Sequence, residues 1–297
     1  EIAAAGGHNL LFMGPPGTGK SMLARRLPGL LPPMSETEAL ETAAIDSVLG
    51  KPVASAGWGR RPFRAPHHTA TAPALVGGGP GPRPGEVSRA HNGVLFLDEL
   101  PEFNRSVLEV LRGPLETGVI TISRAGGQAD FPAKFQLVAA MNPCPCGYLG
   151  DRKADCRCSG DRVASYRAKI SGPLLDRIDL HVEVTRPPMS LLRSESVNGE
   201  STSTVAARIE RAWRVQIQRS GVSNARLEGA QLGDVCRIDN ESWALLENAA
   251  EQFNLSARAH QRVLRVSRTV ADLAGAKCIT PPHVAEALSL RCMDRRP

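Results

Sequence analysis

Nothing in the 297 residues approaches the run of about eighteen apolar residues that a membrane-spanning helix needs, and no basic-then-apolar leader precedes the first apolar stretch. The expectation is a chain with no membrane partner, working in the cytoplasm. Cysteine is sparse and odd in number, seven in all, which argues against a disulfide framework and for reduced thiols or metal ligands. No internal repeat is visible, so repeat architectures are set aside. An initiating methionine is also missing: "EIAAAGGHNLLF" reads as the tail of a helix running into a strand, so a fragment of a longer protein is expected.

What is present is enough chain for two domains, each able to bury its own core. Net charge is +6 and the pI about 9.1. Residues 205–297 hold 14 Lys and Arg against 10 Asp and Glu, a balance that permits a polyanionic partner without requiring one.

The apolar run "LLFM" at 10–13 leads into glycines and then a helical pattern, a strand, loop and helix in succession. Ser35 and Glu38 stand in capping-box spacing and predict a helix from residue 35 to about Gly50. Residues 50–93 are rich in Gly and Pro and form a long excursion, of the kind that is usually functional in a compact domain. "GVLFLDE" at 93–99, "FQLVAAM" and "DLHVEV" at 179–184 read as buried parallel strands, and "VITIS" and "QADFP" flank "RAGG" as a hairpin. Past "RPP" at 186–188 the texture becomes polar and then helical, with helices expected at about 204–219, 240–252, 256–275 and 281–291. The division that follows is an α/β core at 1–188, a linker at 189–204 and a helical domain at 205–297.

"GPPGTGKS", comprising Gly14, Pro15, Pro16, Gly17, Thr18, Gly19, Lys20 and Ser21, matches a phosphate-binding loop in full, after a strand and opening a helix. Gly17 and Gly19 let backbone N–H groups close around phosphate, Lys20 reaches the β and γ phosphates of ATP, and the Ser21 hydroxyl ligates Mg²⁺. Asp98, at the end of a buried strand, suits a role beside Mg²⁺, and Glu99 suits polarisation of the attacking water. Asn142 ends a later strand, where a neutral amide can bond the γ-phosphate; the same residue with Pro143 also spells a plain turn. His67 and His68 suggest a metal, but adjacent histidines are expected to point different ways and no acidic partners are expected nearby, so they are assigned to the loop, with a DNA-facing position as one option.

The phosphate loop, "LFLDE", the Asn after a later strand and "GPLLDRID" together resemble an AAA+ ATPase, and the pattern over nearly the whole chain resembles the Mg-chelatase-like YifB/ComM family. That resemblance implies a P-loop core with a five-stranded, mostly parallel sheet, an insertion in the second core helix, a hairpin before the asparagine strand and an α-helical lid. It also implies a hexameric ring in which Arg177 projects into the neighbouring subunit's site, with an ion pair to Asp176 or Asp179 as the alternative use of that residue. The family's lid arginine maps onto Arg258, with Arg262 and Arg265 nearby. Relatives carry a Lon-like N-terminal domain, which this stretch of chain does not contain.

In such a ring the hairpins line a pore, and Arg124 at the tip would contact a DNA backbone; an ordinary solvated arginine is equally compatible with the sequence. Cys144, Cys146, Cys156 and Cys158 fall in a knuckle at 142–160. Four thiolates suit a structural zinc that orders a polar segment, the alternatives being free thiols or a redox pair. The expected function is an ATP-driven DNA branch-migration motor in natural transformation. A chelatase-type motor subunit that remodels a metal-inserting partner, or a protein unfoldase, are the competing readings.

Overall fold

The four apolar runs become neighbours in one sheet. The chain opens with helix α1 (Ile2–Gly6), strand β1 (Leu10–Met13), helix α2 (Lys20–Arg26) and helix α3 (Glu36–Val48). The expected capping box is formed: Ser35 Oγ accepts from the Glu38 amide and the Glu38 carboxylate accepts from the Ser35 amide. Strands β2 (Phe63–Arg64) and β3 (Val94–Leu97) follow, then helix α4 (Arg112–Thr117), the hairpin β4 (Val119–Arg124) and β5 (Gly127–Pro132), and strand β6 (Gln136–Met141). Helices α5 (Gly160–Ala168) and α6 (Gly172–Leu175) precede strand β7 (Leu180–Glu183). This is a computed structural model, and it describes residues 1–50, 57–79, 82–124, 127–151, 154–187 and 199–293.

The sheet order is β2-β3-β6-β1-β7, with every neighbouring pair parallel. β2 was not anticipated. It is only two residues long and sits in the Gly- and Pro-rich excursion, where no apolar alternation marks it. The excursion also carries two short helices, Ala72–Val76 and Glu86–Arg89. Successive residues of a strand point to opposite faces. Val94 and Phe96 thus join one apolar cluster, and Leu95 and Leu97 the other. Both faces are covered, which is why β3 and β6 are buried throughout and read as unbroken apolar runs. Each such side chain contributes about 1.5–3 kcal/mol on burial.

Among the described residues the C-terminal part is helical apart from the isolated bridges that pair Ile238 with Ile279 and His181 with Arg291: α7 (Thr202–Ser220), α8 (Gly229–Val235), α9 (Asn240–Phe253), α10 (Ala257–Leu273) and α11 (Pro281–Ser289). Only α8 was missed; it is short and opens on glycine. One apolar cluster runs from the Val94, Phe96 and Val138 face of the sheet through α1 into Ile209, Leu246, Val263 and Val284 of these helices. Most of the segment expected to be a linker, residues 189–198, lies outside the described residues. Among the described residues no helix is long and apolar enough to cross a membrane.

Candidate active site

The C-terminal ends of β1, β3 and β6 share one edge of the sheet, and the phosphate loop, Asp98–Glu99 and Asn142 follow directly from those ends. Gly17 and Gly19 adopt left-handed φ of 76° and 90°, and Gly19 is the N-cap of α2, so Lys20 begins the helix. The Lys20 ammonium donates to the carbonyls of Gly14 (2.7 Å) and Pro15 (2.8 Å) and to Asn142 Oδ1 (3.2 Å). Burial lowers its pKa and the Asp98 charge opposes that shift. Ser21 Oγ donates to Asp98 Oδ2 at 2.6 Å, which sets two hard oxygen donors side by side, the donor type Mg²⁺ requires. A cleft of about 430 Å³ is lined by residues 16–22, Asp98, Glu99, Met141 and Asn142.

Glu99 sits at φ 52°, a left-handed conformation that costs a non-glycine residue of order 1–3 kcal/mol. Its carboxylate lies 3.1 Å from His68 Nδ1. The expectation that His67 and His68 lack nearby acidic partners is therefore corrected for His68, while their place in a loop stands. The loop after β2 folds back over the end of β3, and His68 meets Glu99 across a separation the sequence does not mark. The His67 and His68 rings do not diverge; their centroids are 4.1 Å apart, and His68 packs edge-on to Phe103.

The arginines gather at the opposite edge. Asp179 and Arg177 precede β7, and the Asp179 amide bonds Asn9 O ahead of β1. The far end of β7 is next to the phosphate loop, where the Val184 amide bonds Met13 O. Four strand residues span about 13 Å. Arg177 is buried, donates to Pro173 O at 2.6 Å and forms an ion pair with Glu116 of α4, a partner that is neither Asp176 nor Asp179. Arg258 lies 3.9 Å from the same Glu116 carboxylate and is otherwise exposed. The Arg177 hydrogen bond, the largest influence, holds Glu116 below the usual carboxylate range. The structure brings Arg258 to Arg177, not to the phosphate loop of its own chain. Arg262 is committed to buried Asp179, which also lies 3.7 Å from His8 Nδ1. Burial opposes charge on Asp179, yet the neighbouring His8 ring and the Arg262 charge hold its pKa well below normal. Arg265 is largely buried, and that burial lowers its pKa.

The four cysteines meet as expected from their grouping. Cys144 Sγ is 3.3 Å from Cys146 Sγ and 3.6 Å from Cys156 Sγ, and all four sulfurs lie within 4.8 Å of one another. All are free thiols. A tetrahedral zinc with sulfur at about 2.3 Å spaces its ligands about 3.8 Å apart, so this group can hold a metal. The thiols of this group titrate together: backbone hydrogen bonds at Tyr148 and Arg157 lower Cys146, whereas burial and the neighbouring sulfurs raise Cys156 and Cys158, so a single thiolate is favoured in the absence of a metal. Arg152 and Lys153 of the knuckle lie outside the described residues, as does the Arg124 side chain; the Arg124 backbone closes the hairpin opposite Gly127.

A phosphate loop at the carboxyl edge of a five-stranded parallel sheet, with a helical C-terminal part, defines an AAA+ P-loop NTPase fold. The chain belongs to the Mg-chelatase-like family: the model "Magnesium chelatase, subunit ChlI" matches residues 1–191 and "Magnesium chelatase, subunit ChlI C-terminal" residues 199–291. It is 51% identical over 295 residues to the competence protein ComM of Haemophilus influenzae, covering 99% of this chain and 57% of that protein. It is 49% identical over 296 residues to the uncharacterized protein YifB of Escherichia coli, covering 99% and 58%. The magnesium-chelatase 38 kDa subunit of Rhodobacter capsulatus is 26% identical over 309 residues, covering 96% and 80%. The chain thus spans somewhat over half the length of its ComM and YifB relatives.

Proposed function

We propose that this chain is the ATP-hydrolysing motor of a ring-forming DNA branch-migration helicase of the ComM type, acting in the cytoplasm during natural transformation. The observation that carries the reading is the split site. Lys20, Ser21, Asp98, Glu99 and Asn142 converge at one edge of the sheet, while Arg177 and Arg258 sit together at the other. A second copy would bring those arginines to the first copy's nucleotide.

In that arrangement Lys20 and the loop amides hold the β and γ oxygens of ATP, and the Asn142 amide bonds the γ-phosphate. Ser21 and Asp98 would hold Mg²⁺, directly or through water, and the ion would supply the charge that neutralises the phosphate oxygens. Glu99, once free of His68, orients the water whose oxygen attacks the γ-phosphorus as the bond to the ADP oxygen breaks. Arg177 and Arg258 of the next subunit stabilise the charge spread over the transferring group. Cys144, Cys146, Cys156 and Cys158 of the knuckle would hold a structural Zn²⁺ as thiolates. The domain division at 188 and 205 would let the helical part, and Arg258 with it, move relative to the core.

ATPase measured with and without branched DNA, over a range of protein concentration, tests the reading. Turnover should rise with concentration as rings form and should rise again with DNA. Full turnover in a strictly monomeric protein would overturn the shared site. The likeness to the Rhodobacter chelatase subunit supports a second reading, a motor that remodels a metal-inserting partner; it predicts ATPase indifferent to DNA.

A further inference from the structure

The cysteine knuckle and the phosphate loop touch. β6 ends at Met141, Asn142 accepts from Lys20, and Cys144 is buried only two residues further on. The Gly147 amide turns back to Cys144 O at 3.0 Å. Gly147 has φ 87°, and a Cβ there would lie 2.8 Å from Pro16 Cδ of the phosphate loop and 3.8 Å from Asn142 Cγ. The knuckle backbone therefore lies directly against the loop. On its outer side Arg186 pairs with Asp151 at 3.0 Å and lies over the Tyr148 ring at 5.6 Å.

Between Met141 and Gly160 the described residues form no helix or strand. Little apolar surface is available to fix this segment. Its order rests on the Arg186 contacts, on the bond from Arg167 Nε to Pro143 O at 3.3 Å and on the four converging sulfurs. A metal held by four thiolates would fasten the segment, because binding free energy at such a site is ordering free energy.

We infer that metal occupancy of the Cys144–Cys146–Cys156–Cys158 site sets the affinity of the phosphate loop for nucleotide, with Gly147 against Pro16 as the mechanical link. The inference rests on the zinc and nucleotide readings above and adds their coupling. Coupling between two binding sites is reciprocal, so nucleotide should in turn slow metal loss.

The test uses the full chain purified from zinc-supplemented cells. Elemental analysis should give about one zinc per chain. Stripping with a chelator under reducing conditions should weaken binding of a fluorescent ATP analogue at least tenfold, and re-addition of zinc should restore it. ADP with Mg²⁺ should slow zinc transfer to a chromophoric chelator by a similar factor. Gly147→Ala should keep its zinc and its circular dichroism spectrum yet lose nucleotide affinity, since the new methyl drives Pro16 away. Lys20→Ala should keep zinc whose release no longer responds to nucleotide. Equal nucleotide affinity in loaded and stripped protein, with release indifferent to nucleotide, would overturn the coupling and leave the zinc and nucleotide readings standing. Absence of zinc after supplementation would overturn the metal reading and the coupling together. Retained nucleotide affinity in Lys20→Ala would overturn the nucleotide reading itself.

Discussion

The two edges of the central sheet are built on different principles. At the carboxyl edge, short polar segments meet across small gaps: Lys20 on Asn142, Ser21 on Asp98, Glu99 on His68. These groups can exchange partners with a ligand. At the amino edge, Asp179 is a buried anion fastened by His8, Arg262 and the Asn9 amide, and above that anchor Arg177 and Arg258 share a single exposed carboxylate, Glu116. Under the proposed function one edge would receive nucleotide, while the other would fix the frame and offer cations to a neighbour. A site shared between copies needs both kinds of surface on each chain.

The strongest way to break this comparison is Arg177→Ala. ATPase should fall by roughly 10³-fold or more in a homogeneous preparation, the range for loss of an arginine that acts in trans. Mixing this variant with Glu99→Gln should restore part of the rate, because the two defects fall on different sides of a shared site. Arg258→Ala should behave the same way in mixtures with Glu99→Gln. Failure to complement would return Arg258 to the site of its own chain and undo the grouping of the two arginines.

Next in size is the anchor. Asp179→Asn removes one partner of a buried ion pair and should cost about 3–5 kcal/mol in a denaturant titration at neutral pH. The folded pKa of Asp179 is depressed. Its contribution is therefore present above the unfolded value of about 3.9 and is lost as pH falls below that towards the folded pKa. The gap between wild type and variant should narrow on acidification below about pH 4. A gap that stays constant with pH would mean that Asp179 is not charged in the folded state.

His68→Ala sharpens the comparison from the other edge. If the His68 contact holds Glu99 away from water, basal turnover should rise by about three- to tenfold with little change in KM, within the range of a single net hydrogen bond. A fall in kcat would make His68 a support for Glu99 in its working position. The smallest expected effect is at the hairpin. Arg124→Ala should leave basal ATPase intact and make log Kd for DNA less dependent on log salt, by about one unit of slope for each phosphate that the variant no longer neutralises. An unchanged slope would move the DNA path away from the hairpin tip.

Much of the fold was legible because it is coded locally. The parallel strands follow from unbroken apolar runs, α3 from Ser35 and Glu38, and the C-terminal helices from their periodicity. β2 was not legible: with two residues it has no period to read, and its pairing with β3 is set by where the excursion returns.

The same line runs through the site. By itself the sequence determined the phosphate loop, the acids after an apolar strand, the asparagine at a later strand end and the grouping of four cysteines, because each is a short motif whose spacing carries its chemistry. Tertiary structure alone decided that His68 faces Glu99, that Gly147 leans on Pro16, and that Glu116 draws Arg258 to Arg177 and away from the phosphate loop of its own chain. Those pairings join residues tens to more than a hundred positions apart. No local spacing encodes them; they exist because the strands are parallel, so that every crossover carries the chain back from one edge of the sheet to the other and sorts its polar ends into two separate groups.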